Sequence, residues 1–153
     1  MDKLRLKIPP VIVVVLALAL MKLISLVTPS SEFLLSLPSI LPYLLVSLGV
    51  VVAVSGVVEF RRHKTTLNPL LKTDATALVS GGIYQRTRNP MYLGMLLALI
   101  GGIFYWANLF TVLGCVAFVV YMNRFQIEPE EEYLIGQFPD AFPEYMIRVR
   151  RWL

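Results

Sequence analysis

The chain has 153 residues, a net charge of +4, 57% hydrophobic residues and 16% charged ones, with a mean hydropathy of +0.70. Soluble domains carry about a quarter of their residues as charged side chains, so an ordinary water-soluble globule is excluded. A single cysteine, Cys115, excludes an intrachain disulfide and suggests no metal site, and the basic excess suits an anionic membrane leaflet rather than nucleic acid.

Residues 1–10 are basic, with Lys3, Arg5 and Lys7, and end on Pro9-Pro10. A helix is predicted over roughly 11–27. Its apolar run approaches the ~20 residues that cross a ~30 Å hydrocarbon core. Lys22, near the far end, extends its ammonium to the interface. A signal peptide starts in a similar way, but this run is long, and Thr28 to Glu32 make a poor cleavage site. Residues 28–39 form a short loop with one acid, Glu32. A second spanning helix follows over 40–60, with Gly49, Ala53 and Gly56 as a small surface for close helix approach.

Residues 61–90 differ in kind. They hold Arg61, Arg62, Lys64, Lys72, Arg86 and Arg88 against one acid, Asp74, with turn signals at Asn68-Pro69 and Gly81-Gly82. His63, the only histidine, sits among these cations as an interfacial polar residue. Two further helices are predicted over 91–106 and 109–124, joined by the uncharged turn Trp106-Ala107-Asn108. Each is short for a full span, and Gly94, Ala98 and Gly102 offer the third helix a packing face. Cys115 reads as a small core residue. The tail is helical from about Glu128 to Gln137, and Arg148-Val149-Arg150-Arg151-Trp152 reads as an interface anchor.

The expectation is an all-α polytopic membrane protein, one membrane domain over 1–153 with about four transmembrane helices. Lys and Arg concentrate in the N-terminus, the 61–90 loop and the tail, and are missing from the loops at 28–39 and 107–108. The positive-inside rule then puts both termini and the basic loop on the cytoplasmic face, in a bacterial or archaeal inner membrane.

Two constellations fall on that face. In the first, Gly81-Gly82 precede Tyr84, and Arg88-Asn89-Pro90 open a helix that carries Tyr92 and Gly94. Glycines allow close backbone approach, Pro90 fits a first helical turn, and the free N–H groups of a helix start favour an anion. The same residues also suit a plain loop entering a membrane helix. In the second, Glu128-Pro129-Glu130-Glu131-Glu132 either complements a helix dipole or binds a cationic ligand.

The string Gly82-Ile83-Tyr84, Arg88-Asn89-Pro90-Met91-Tyr92-Leu93-Gly94, then Pro129-Glu130-Glu131, Leu134, Phe138, Tyr145 and Arg150-Arg151-Trp152 resembles the C-terminal half of isoprenylcysteine carboxyl methyltransferases. It is also similar to the related phospholipid methyltransferases. The likeness covers roughly 61–153. It implies an S-adenosylmethionine-dependent methyltransferase acting on a lipid-like or small hydrophobic acceptor, with a thiol, carboxylate or amine nucleophile, and S-adenosylhomocysteine as product. It implies a cofactor region over about 78–153, with Gly82, Tyr84, Arg88, Asn89, Tyr92, Gly94, Glu130 and Glu131 around the cofactor and no metal. Glu131 and Arg124 are the candidate catalytic residues. The usual Arg-His-Pro is here Arg88-Asn89-Pro90, and asparagine cannot act as a base near neutral pH.

Two other functions fit the composition. A small four-helix transporter would be expected to carry a mid-membrane ionisable group, whereas Lys22 and Glu59 lie near helix ends. A membrane scaffold that kept the fold without chemistry is the other.

Overall fold

The computed structural model describes residues 5–62 and 78–153. His63, Lys64, Asn68-Pro69, Lys72 and Asp74, singled out above, lie outside the described residues, as does Lys3. Every element found among the described residues is helical. They are α1 (Pro10–Val27), a one-turn α2 (Glu32–Leu35), α3 (Leu41–Arg62), α4 (Pro90–Tyr105), α5 (Val112–Met122), α6 (Glu128–Gln137) and α7 (Ala141–Arg148). Short 3-10 turns at Gly82–Gln85 and Leu109–Thr111 lead into α4 and α5.

The helices α1 and α3 are apolar on nearly every side. Val15, Leu23, Leu44 and Val51 remain exposed, a surface that water would not tolerate over such lengths and lipid would. Among the described residues three stretches are long and apolar enough to cross a membrane: Pro10–Val27, Leu41–Arg62 and Leu109–Gln137. A fourth, α4, has 16 residues. At about 1.5 Å per residue it is roughly 24 Å long, shorter than a ~30 Å hydrocarbon core. The protein is a polytopic, all-helical membrane protein.

The principal packing is α3 against α4, backbone to backbone. A methyl at Gly49 would strike the Gly94 carbonyl, and one at Gly94 would strike the Gly49 carbonyl. Gly56 faces Pro90, and Gly101 faces the Pro42 carbonyl. The expected small-residue face of α4 therefore ends on Gly101, while Gly102 packs on Met21 and Trp106. Beyond it, Met21 of α1 lies against Gly114 of α5, joining these helices around a buried core of Leu99, Phe118 and Met122.

The fourth apolar run does not stop near residue 124 as expected. A π-helical segment, Asn123–Ile127, carries α5 into α6 without a break, giving one helical stretch of 29 residues. Pro129 causes no break because it sits at the start of the α-helical register resumed at Glu128. The wider π turn leaves a backbone group open to an outside partner: Leu6 N–H donates to the Phe125 carbonyl at 2.9 Å, and beside it the Gln126 side-chain amide donates to the Ile8 carbonyl at 2.7 Å.

The two ends of the bundle differ. At one, Asn108 donates to the Thr28 hydroxyl at 2.9 Å, and Ser31 N–H to the Ala107 carbonyl at 2.7 Å. These are the loops without Lys or Arg. At the other end lie residues 5–8, 81–89, 123–132 and 150–152.

Candidate active site

The helix start at Arg88-Asn89-Pro90 and the glutamates of α6 meet. Arg88 and Glu131, 43 residues apart, share a bond of 2.7 Å from Nη2 to Oε1. Both side chains are nine-tenths buried. The second guanidinium on Glu131 comes from Arg151, whose Nη2 is 2.6 Å from Oε2 and whose Nε is 3.2 Å from Oε1. One carboxylate thus bridges two arginines. Removing a partner from such a buried group is costly because it leaves an uncompensated charge.

Arg88 is fixed from both sides. Its Nη1 donates to the carbonyls of Met146 at 3.1 Å and Val149 at 2.6 Å, at the end of α7. Its Nε is buried and has no hydrogen-bond partner. Beside this cluster the Tyr92 hydroxyl donates to Glu130 Oε1 at 2.6 Å. That charge-assisted bond joins the first turn of α4 to the first turn of α6.

Asn89 precedes Pro90, the first residue of α4, but its side chain does not cap the helix. Its Nδ2 donates to the Arg151 carbonyl at 2.9 Å, while the Thr87 hydroxyl accepts from Asn89 N–H at 3.1 Å. Tyr84 is buried under α7, where the Tyr145 hydroxyl donates to the Tyr84 carbonyl at 2.6 Å. Burial raises the pKa of both phenols, and that of Tyr145 is pushed up to about 12. Both stay neutral under ordinary conditions. Gly82 has φ +55°, a left-handed conformation that side chains disfavour, and a methyl there would lie 2.7 Å from the Glu59 carboxylate.

Comparison with known proteins bears directly on this arrangement. The family model described as phospholipid methyltransferase matches residues 37–141, which include both α4 and α6. The chain belongs to the phospholipid methyltransferase family. It is also similar to an uncharacterized protein of Haemophilus influenzae, 41% identical over 63 residues, which are 41% of this chain and all of that protein. No solved structure gives a significant match.

Membership of the phospholipid methyltransferase family makes the chain an S-adenosylmethionine-dependent methyltransferase, with methyl transfer to a lipid as its class of reaction. That decides between the expected enzyme and the transporter alternative. Within it, the structure brings together Tyr84, Arg88, Asn89, Tyr92, Glu130 and Glu131. Gly94 faces α3 rather than this cluster. Arg124 lies in the π segment, more than half exposed, with Nη1 2.8 Å from Glu128 Oε2.

Arg151 is the participant the sequence reading missed as part of this site. Its run reads as an anchor because Arg148, Arg150 and Arg151 look equivalent in one dimension. The backbone turns extended at Val149, so neighbouring side chains point to opposite sides. Arg148 and Arg150 are exposed, whereas Val149 is buried and Arg151 reaches Glu131. Trp152 is likewise tied inward, donating to Asn123 Oδ1 at 3.0 Å.

Proposed function

We propose that this protein methylates the headgroup amine of a phospholipid at the cytoplasmic face of the membrane, using the cluster around Arg88, Tyr92, Glu130 and Glu131. The observation that carries this reading is the pair of bonds joining the two motifs, Arg88 to Glu131 and Tyr92 to Glu130. The cytoplasmic assignment rests on the basic segments gathered at that end of the bundle.

The residues present suit S-adenosylmethionine. Its carboxylate calls for a cationic donor, and Arg88 keeps a buried Nε–H without a partner. Its ammonium and ribose hydroxyls call for an acid, and Glu130 shares only one oxygen with Tyr92. Tyr84 and Gly82 complete the set on the loop before α4. The cofactor supplies an electrophilic methyl group on a sulfonium.

The chain's own groups then divide the work. Glu131 is saturated by two arginines, so it acts through Arg88, holding the guanidinium in place. Asn89 cannot take a proton from an amine, which leaves Glu130 as the group of this cluster able to receive it. Arg124, exposed beside Glu128, orients the acceptor's phosphate. The acceptor's acyl chains stay in lipid, so only the headgroup enters. Such a displacement is accelerated mainly by positioning.

The test is binding and turnover in lipid nanodiscs. The protein should bind S-adenosylhomocysteine at micromolar levels and transfer labelled methyl to an aminophospholipid. A protein that binds no S-adenosylhomocysteine in lipid refutes the reading. Methylation of a thiol or carboxylate acceptor instead would reassign the acceptor while keeping the site.

A further inference from the structure

We infer that Arg151 is a positioning residue of the methyl-transfer site, holding the donor-binding arginine through Glu131; this rests on the function proposed above. The segment Arg150 to Trp152 touches both the Arg88-Asn89 helix start and Glu131 of α6. The Arg150 carbonyl accepts from Arg88 N–H at 3.0 Å. The Arg151 carbonyl accepts from the Asn89 amide at 2.9 Å and from the Thr87 hydroxyl at 3.3 Å. Its guanidinium grips both oxygens of Glu131, and the next residue, Trp152, donates to Asn123 of the π segment.

Glu131 and the carbonyls of Met146 and Val149 together fix the Arg88 guanidinium. Without Arg151, Glu131 Oε2 loses its partner, the carboxylate is free to rotate about its single remaining bond to Arg88, and Arg88 loses a defined geometry. The planar fork of an arginine matches a carboxylate at two points, which lysine cannot do. The pairing also raises the pKa of Arg151, first through its hydrogen bond to Glu131. The cation is therefore permanent at any working pH.

The experiment compares S-adenosylhomocysteine affinity by calorimetry for the full chain in nanodiscs. Arg151→Ala should weaken binding about tenfold, the size expected when a charged hydrogen-bond pair is lost, with Arg151→Lys falling between. Asn108→Ser is the control. It removes the bonds to Thr28 and Pro29 at the opposite end of the bundle, so it should lower the melting temperature yet leave affinity unchanged. Equal affinity in wild type and Arg151→Ala overturns the role of Arg151 while the proposed function stands. An affinity loss in Asn108→Ser as large as that in Arg151→Ala also overturns it, because general loosening then suffices. A wild type that takes up no S-adenosylhomocysteine overturns both proposals. If the alanine variant fails to assemble, Arg151→Lys carries the test, with the same direction and a smaller loss expected.

Discussion

Arg88, in the bend just before α4, and Glu131, in the first turn of α6, are 43 residues apart in sequence and meet at 2.7 Å with both side chains nearly buried. Breaking a buried pair by removing one partner costs about 3–5 kcal/mol. Glu131→Ala should therefore lower stability by that order, and so should Arg88→Ala. The double variant should cost clearly less than the sum, since the two residues share one interaction. Denaturation in a mild detergent measures all three, and strict additivity would contradict the pairing.

Tyr92 and Glu130 form the second link between α4 and α6. A glutamine at position 130 still accepts the Tyr92 hydrogen bond, so the fold should hold. The negative charge is lost, and S-adenosylhomocysteine binding should weaken by about tenfold, one charge-assisted bond's worth. Tyr92→Phe removes the bond itself and should cost about 1.5–3 kcal/mol of stability, the range for a hydrogen bond to a charged group. An unchanged affinity in Glu130→Gln would remove Glu130 from the ligand-facing set.

Gly94 separates packing from ligand contact. Any side chain there meets the Gly49 carbonyl and the Ala53 methyl. Gly94→Ala should destabilise the α3–α4 pair by about 1–3 kcal/mol, as overpacking does. Protein that remains folded should bind S-adenosylhomocysteine normally. Melting curves and calorimetry on the same preparation distinguish the two effects.

Gly82 carries a different strain. Its φ of +55° disfavours a side chain by roughly 1–2 kcal/mol, and the added methyl would also press on the Glu59 carboxylate. Gly82→Ala should therefore displace the loop that holds Tyr84. Its cost should exceed the backbone term alone, and a fully neutral substitution would contradict the conformation.

Alkaline titration reports on Tyr145. Its pKa rises from 10.0 to about 12 by burial. The folded value lies above the unfolded one, so the stabilisation is fully present below pH ~10 and is lost as pH rises through ~12. Tyr145→Phe should flatten this part of the stability profile and loosen α7 from Tyr84. Ultraviolet absorbance titration of the folded protein should show late ionisation, and an ordinary phenol value for Tyr145 would contradict its burial.

The local and the spatial divide cleanly in this protein. Helix existence was legible because long apolar runs need no distant partner to declare themselves: the expected helices over 11–27 and 40–60 correspond to Pro10–Val27 and Leu41–Arg62. The start of α4 was equally legible, since Pro90 suits a first helical turn. The continuity of α5 into α6 was not, because a π segment has no sequence mark of its own and is held by the distant N-terminal residues: Leu6 N–H bonds the Phe125 carbonyl, and the Ile8 carbonyl accepts from the Gln126 side chain.

The chain's own residues and their order determined a membrane protein, its helices, and the residues of the two motifs with their resemblance to a methyltransferase family. Only the tertiary structure decided which charge serves which purpose. Glutamates 130 and 131 are adjacent and chemically identical, as are arginines 150 and 151. One of each pair is consumed by an internal ion pair, while Glu130 bonds Tyr92 and Arg150 faces outward. The reason is geometric: successive residues on a helix or an extended strand point in different directions, and what lies in each direction is set by elements far away in the chain.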